Sequence, residues 1–153
     1  MPIRLTRIDN RLIHGQVVGI WAGAVGANLI VVADDEVAAS DMERQVMKIA
    51  ADALSLDSRF FTVQQTIDVI DRAAPSQKIL LMCKTPRTVR RILEGGVQLD
   101  TVNIGNMHPG PGREHIAGKV YVTAQDRDDL DFIKTRVRKI YIQDTPEQKV
   151  DAY

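Results

Sequence analysis

A single cysteine, Cys83, stands in the 153-residue chain, which excludes an internal disulfide framework and fits a reducing compartment. Aromatic side chains are scarce: three Phe, three Tyr and one Trp are too few for a platform on which nucleic-acid bases stack. Neither sign of charge prevails, because 20 basic residues meet 20 acidic ones and the formal net charge is zero. Bulk attraction to a polyanion is thereby excluded, and no nucleic-acid partner is expected. The start, Met1-Pro-Ile-Arg-Leu-Thr-Arg7, lacks the apolar core of a secretory signal. Hydrophobic residues at 44% and charged residues at 26% belong to a globular chain rather than a disordered or fibrous one. Residues 1–153 are therefore expected to form one soluble, cytoplasmic domain.

A long apolar run is nearly absent as well. Val17 to Ala33 is apolar or glycine except at Asn28, and holds the small-residue pair Gly19 and Gly23 found between packed membrane helices. A bilayer span needs about 20 apolar residues. This run is short, is broken at Gly26 and Asn28, and meets Asp34-Asp35-Glu36. A helix, a glycine stop and a buried strand describe it better.

What is present is an alternation of short apolar runs and helical patterns, the signature of an α/β domain. Strands are expected at Ile3–Ile8, Leu29–Ala33, Arg59–Thr62, Lys78–Cys83, Thr101–Ile104, Lys119–Val122 and Lys139–Ile142. Leu29–Ala33 and Ile79–Met82 are continuously apolar, as in a parallel sheet covered on both faces. Lys119–Val122 and Lys139–Ile142 alternate, which places them nearer an edge. Ser40 with Glu43 opens a helix whose inward face is read as Met42, Val46, Ile49, Ala50 and Ala53. Thr62 with Gln65 opens another, carrying Ile67, Ile70 and Ala74. Thr85-Pro86 starts a third, ended by Gly95-Gly96, and Thr123 with Asp126 starts a fourth with Leu130 and Ile133 inward. From Pro146 onward the chain reads as a loose polar tail.

The densest chemistry lies at the first strand-to-helix junction, Arg7-Ile8-Asp9-Asn10-Arg11-Leu12-Ile13-His14-Gly15-Gln16. Ligands of open α/β sheets gather outside the carboxyl ends of the strands, where a helix start offers free N–H groups to an anion. Arg11 supplies a planar cationic fork suited to phosphate. His14 is a neutral nucleophile near neutral pH, and Gly15 lets a group approach the backbone closely. Asp9 orients Arg11 or the imidazole, or else caps a turn. Gln16 faces phosphate or solvent. Composition and spacing equally describe an exposed loop histidine with Arg11 paired to Asp9.

Arg7-Ile-Asp-Asn-Arg-Leu-Ile-His-Gly-Gln-Val17 resembles the phosphorylation-site signature of the mannose/sorbose-type IIB components of the sugar phosphotransferase system. The resemblance continues through Gly26–Ala33, Gln77–Pro86, Gly95-Gly96 and Val102–His108. Asn106 and Arg59-Phe-Phe-Thr62 make it most similar to the galactosamine/N-acetylgalactosamine-specific branch. What this implies is a phosphoryl carrier: His14 takes the group, through Nδ1, from a phosphohistidine on a IIA component. It passes the group to a sugar entering through membrane IIC and IID components, with which the chain associates peripherally. Arg11 stabilises the phosphoryl group, and neither cofactor nor metal is implied. The family fold is a three-layer α/β/α domain with a mostly parallel open sheet, main order 3-2-4-1-5-6, and its members often form homo-oligomers. Two departures are visible: Asn10 replaces a common acidic residue, and Thr135-Arg-Val-Arg-Lys139 lacks a glycine relatives often have in that turn.

Other positions carry weaker signals. Gly105-Asn-Met-His-Pro-Gly-Pro-Gly112 fits neither nucleotide fingerprint, but becomes one wall of the site if its strand neighbours the first. His108 then joins the site, or is an exposed turn histidine; His115 reads as surface. Lys84 follows a strand at the functional edge and either assists with phosphate or is merely solvated. Cys83 reads as a buried hydrophobe, since Cys83 and the three histidines lack zinc-like spacing, and Trp21 reads as packing. Two other functions compete: an interaction or regulatory module of the same fold without transfer activity, and a Rossmann-like transferase using His14 as general base.

Overall fold

The computed structural model describes residues 2–153. Seven strands form one sheet: β1 (Ile3–Asp9), β2 (Leu29–Ala33), β3 (Asp57–Phe61), β4 (Ile79–Cys83), β5 (Thr101–Asn106), β8 (Lys139–Ile142) and β9 (Asp151–Ala152). Their spatial order is β3-β2-β4-β1-β5-β8-β9, parallel except for β9. Counting main-sheet strands alone, the first six follow the expected 3-2-4-1-5-6. Every residue of β2 and β4 is buried, because helices cover both faces. The helices α1 (Val17–Val25), α2 (Asp35–Ala38) and α3 (Asp41–Ala53) share one face with Ile30, Val32, Leu80 and Met82. On the other face α4 (Val63–Val69), α5 (Pro86–Glu94) and α6 (Ala124–Lys134) pack over Val31, Leu81 and Ile104.

The start signals act as read. Ser40 Oγ accepts from Glu43 N–H, and Thr62 with Gln65 and Thr123 with Asp126 form reciprocal capping boxes. Thr85 caps α5, with Pro86 in its first turn. The apolar run divides as expected into α1, a left-handed stop at Gly26 (φ 69°) and the buried β2. Among the described residues no helix is long and apolar enough to cross a membrane.

Three expectations are corrected. In α3, Met42, Val46 and Ile49 are 76%, 62% and 70% exposed, while Ala50 packs inward as read, joined by Met47, Ala51 and, just past the helix end, Leu54. Both sets follow i, i+3/i+4, i+7 spacing, so periodicity alone does not choose between them. Lys119–Val122 lies outside the main sheet: β7 (Val120–Val122) forms a two-stranded antiparallel hairpin with β6 (Glu114–Ala117), a strand hidden by its polar sequence. The tail is tied down, since β9 pairs with β8 and the Tyr153 hydroxyl donates to Asp131 at 2.7 Å. The glycine-free Thr135–Lys139 turn closes without left-handed backbone. Thr135 stays right-handed, and the N–H groups of Arg138 and Lys139 donate to the Asp100 carbonyl.

Candidate functional site

Strand β1 lies between β4 and β5, so its carboxyl end at Asp9 is flanked by Cys83 and Asn106 at the sheet's carboxyl edge. The loop that follows is held from below. Leu12 and Ile13 are 1% and 4% exposed and enter the core on the α1 face. Asp9 closes the turn, its carbonyl accepting from Leu12 N–H at 3.0 Å and its Oδ1 from Arg11 N–H at 2.9 Å. Leu12 adopts φ 55°, a conformation that costs a branched side chain of order 1–2 kcal/mol. The local bonds and the buried anchors hold it there.

The result is a display of His14 and Arg11 with unused capacity. His14 is half-buried, and its Nδ1 lies 3.1 Å from the Leu12 carbonyl oxygen. A carbonyl only accepts, so this bond places the hydrogen on Nδ1 and the lone pair on Nε2. Nε2 itself is buried with no partner. Arg11 gives its Nε–H to Asp9 Oδ1 at 3.4 Å, while its Nη2 is buried and unpartnered. Gly15 is exposed at φ 51° with open space around it. Gln16 occupies the cap position of α1 without a side-chain capping bond, whereas Asp34, Ser40, Thr62, Thr85 and Thr123 cap the other five α-helices. The one helix that starts directly after His14 keeps its first N–H groups free of a side-chain cap, where an anion is favoured.

Beneath the loop lies a charge that the sequence reading passed over. Arg7 is 0% exposed. Its guanidinium donates to Asp9 Oδ2 at 3.2 Å, Asp144 Oδ1 at 3.4 Å, Asn103 Oδ1 at 2.5 Å and the Gln143 carbonyl at 3.2 Å. It also lies 5.3 Å from the Trp21 ring centroid. Burial lowers the Arg7 pKa from its ordinary value, and Asp9 and Asp144 work against that shift. For Asp144 burial works against ionisation, but Lys119, Arg7 and Arg11 outweigh it and hold the carboxyl below the ordinary range. Gly105 is a consequence: a Cβ there would come within 2.1 Å of Arg7 Cζ. Arg7 is buried on the same face of β1 as Leu5, whereas Arg4 is exposed; a second cation inside one short strand was the available signal for Arg7. Asp144 and Lys119 are brought in from distant segments and left none.

The Gly105–Gly112 loop forms the adjoining wall. Asn10 N–H donates to the Asn106 carbonyl at 3.1 Å, and the Asn10 side-chain amide sits between the Asn106 amide and the His108 ring. His108 is exposed, and Asn10 links it to the loop. Lys84 follows Cys83, the register partner of Ile8, so it stands at the same edge; among the described residues it makes no hydrogen bond or ion pair. Cys83 is fully buried and its thiol pKa is pushed up by burial, so it packs rather than reacts. Trp21 is buried and donates Nε1–H to the Asp144 carbonyl at 2.8 Å. His115 is exposed and stacks on Tyr121. Among the described residues no three His, Cys, Asp or Glu side chains converge as a metal site. A cavity of about 710 Å³ lies at the opposite, amino edge beside Ile3, Arg4, Leu99 and Asp100, away from this chemistry.

Fold and loop together define a class: an open-sheet α/β domain with an incompletely hydrogen-bonded histidine–arginine loop at the carboxyl end of its central strand. Residues 3–152 match the PTS system sorbose subfamily IIB component family. The chain belongs to that family, as a transferase component of sugar transport by the phosphotransferase system. It is 54% identical over 144 residues to the N-acetylgalactosamine-specific phosphotransferase enzyme IIB component 1 of Escherichia coli K12, covering 94% of this chain and 91% of that one. Component 2 of the same organism is 44% identical over 155 residues, covering 100% and 98%. The crystal structure of the N-acetylgalactosamine-specific IIB component 1 from Escherichia coli superposes with a TM-score of 0.96 at 51% identity, covering 99% of each chain. The IIB domain of the sorbose permease from Klebsiella pneumoniae gives 0.88 at 26% identity, covering 99% of this chain and 93% of that one.

Proposed function

We propose that His14 is the phosphoryl carrier of this IIB component, receiving the group from a phosphohistidine of a IIA partner and delivering it to an amino sugar of the N-acetylgalactosamine class. In the first step an imidazole nitrogen of His14 attacks phosphorus, and the donor P–N bond breaks with its electron pair returning to the donor ring. In the second a sugar hydroxyl oxygen attacks, the His14 P–N bond breaks with its electron pair returning to the imidazole, and the hydroxyl proton passes to solvent. Neither step needs an external oxidant, a nucleotide or a metal; positioning and charge stabilisation suffice. The observation that carries this reading is the pair of buried, unpartnered atoms in one short loop, Arg11 Nη2 and His14 Nε2, beside a helix start without a side-chain cap. Arg11 and the α1 N–H groups would hold the phosphoryl oxygens, with Gly15 giving access and Gln16, Lys84 and His108 at the rim.

The resting tautomer has a consequence for the Nδ1 assignment implied by the resemblance. Nδ1 is the nitrogen bonded to the Leu12 carbonyl. Transfer through Nδ1 therefore includes release of that bond and movement of its hydrogen to Nε2, whereas Nε2 holds its lone pair in the resting ring.

Specificity for the N-acetylgalactosamine class is supported by the names of the relatives and by Asn106 lying against Asn10 in the loop. Membrane IIC and IID partners and a cytoplasmic location follow from the same reading.

Intact-mass measurement after incubation with phosphoenolpyruvate, enzyme I, HPr and a cognate IIA tests it. The expected adduct is one phosphoryl group, acid-labile and alkali-stable, absent in His14→Ala and severely reduced in Arg11→Ala with the fold intact. No adduct on the wild-type chain from a proven active donor would overturn the carrier reading and favour the interaction module.

A further inference from the structure

Five charged side chains of alternating sign run from the hairpin side of the molecule to the His14 loop. Lys119 Nζ lies 2.9 Å from Asp144 Oδ2, and Asp144 Oδ1 lies 3.4 Å from Arg7 Nη2. Arg7 Nη2 lies 3.2 Å from Asp9 Oδ2, and Asp9 Oδ1 lies 3.4 Å from Arg11 Nε. The exposure falls and rises along the chain: the side chains are 60% exposed at Lys119, 9% at Asp144, 0% at Arg7, 1% at Asp9 and 33% at Arg11. Asp144 is fixed independently of its carboxylate, because its carbonyl accepts from Trp21 of α1.

Building on the phosphoryl-carrier reading, we infer that Asp144, with Lys119 behind it, is a positioning residue for phosphoryl transfer that acts on Arg11 through Arg7 and Asp9. The physical reason is competition for one carboxylate. Asp9 divides its oxygens, Oδ2 to Arg7 and Oδ1 to Arg11. Arg7 is buried and cannot shed its charge, so its demand for carboxylate is fixed; Asp144 meets part of it. When Asp144 loses its charge, Arg7 is balanced by Asp9 alone, and the favoured geometry gives both Asp9 oxygens to one guanidinium. Arg11 Nε is then released and the guanidinium loses its fixed aim. A clamp misplaced by about 1 Å costs on the order of a hundredfold in transfer. Lys119 draws on the same Asp144 carboxylate from the solvent side and so competes with Arg7; being exposed, it does so weakly and in a salt-sensitive way.

The test compares Asp144→Asn, Lys119→Ala, Lys119→Arg, Arg11→Ala and the double variant Asp144→Asn/Arg11→Ala in single-turnover phosphorylation by phospho-IIA. Asp144→Asn is expected to lower the saturating rate tenfold or more, with the half-saturating IIA concentration little changed. Lys119→Ala does not reproduce that loss, because it leaves both Asp144 oxygens to Arg7, and Lys119→Arg matches the wild type; a tenfold loss in Lys119→Ala would overturn the competition argument. In the Arg11→Ala background Asp144→Asn has no further effect, because the residue it acts through is gone. Equal fold-losses in both backgrounds, or a Tm loss with a wild-type rate, would overturn the inference. A second readout needs no transfer: the Arg11 Nε–H NMR signal of the free protein shifts and exchanges faster in Asp144→Asn. An unchanged signal overturns the coupling. A wild-type chain that accepts no phosphoryl group overturns the carrier reading instead, and the NMR signal alone then decides the coupling.

Discussion

Replacing Gly105 by alanine adds one methyl group where there is no room for it. The new Cβ would lie 2.1 Å from Arg7 Cζ and 2.3 Å from both terminal guanidinium nitrogens, far inside contact distance. Arg7 has no free direction to yield: it is fully buried, with Asp9, Asp144, Asn103 and the Gln143 carbonyl around it. Displacing it strips the cation from Asp9, which is itself 0% exposed. Breaking a buried ion pair on one side costs roughly 3–5 kcal/mol. At about 2–4 °C per kcal/mol for a chain of this size, Tm falls by roughly 6–20 °C. The single tryptophan, Trp21, reports the event directly, because Arg7 Cζ lies 5.3 Å from its ring centroid and its fluorescence changes when the cation moves. Urea titration followed by that fluorescence measures both quantities together. A loss below about 1 kcal/mol with an unaltered native spectrum would refute the idea that Gly105 exists to admit the Arg7 side chain.

Other expectations follow from the same geometry. Long-range ¹H–¹⁵N spectra of the unphosphorylated protein at neutral pH should show His14 protonated on Nδ1, since that nitrogen faces the Leu12 carbonyl; an Nε2–H tautomer removes the Leu12 bond from the resting state. Asp144 has a lowered pKa in the folded protein, so its stabilisation is complete above the ordinary carboxylate value of about 3.9 and is lost as pH falls below it. The Tm of the wild type should accordingly fall more steeply than that of Asp144→Asn as pH drops below 4, and parallel curves would contradict this. Ile49→Gln should change stability by less than about 0.5 kcal/mol because Ile49 is 70% exposed. Met47→Ala should cost at least about 1 kcal/mol; reversal of that order in chemical denaturation would restore the sequence-based assignment of the α3 face.

The sheet was legible because its signals are local. Leu29–Ala33 and Ile79–Cys83 are apolar at every position, which only a strand covered on both faces tolerates, and the caps at Ser40, Thr62, Thr85 and Thr123 each fix a helix start within four residues. The strand order came from resemblance, since no local pattern encodes which strands are neighbours. Where two local patterns coexist, the sequence is silent: α3 carries one apolar stripe too many. Glu114–Ala117 and Asp151–Ala152 are short and polar, and gain their pairing from partners that tertiary structure supplies. The His14 loop was legible for the opposite reason, because Asp9, Arg11, His14, Gly15 and Gln16 are contiguous. Arg7 was in the same motif but pointed away from it, into the α1 face beside Trp21. Its second carboxylate, Asp144, lies 137 positions along the chain.

That division between contiguous and distant residues matches a division of labour in the loop. The contiguous groups of the loop are left incomplete: a buried imidazole nitrogen, a guanidinium nitrogen without acceptor and a helix start without a side-chain cap; Arg7 Nε beneath them is also without a partner. The two buried atoms of the loop each cost stability, since a buried polar atom without a partner forfeits roughly 1–3 kcal/mol. The distant groups are satisfied, and they surround the one charge that cannot move. A loop that holds and releases a labile phosphoryl group, as proposed for His14, cannot complete its own hydrogen bonds, because complete bonds would compete with the phosphate. It must borrow rigidity from elsewhere. Leu12 and Ile13 in the core, and Arg7 beneath Asp9, supply that rigidity without occupying the unpartnered positions beside His14 and Arg11. A Leu12→Ala replacement should therefore damage phosphoryl transfer more than its distance from the chemistry suggests, by loosening the carbonyl that holds His14. Its Tm and its transfer rate, measured together, separate that effect from simple loss of core packing: a stable variant with slow transfer supports the argument, and a destabilised variant that transfers at the wild-type rate refutes it.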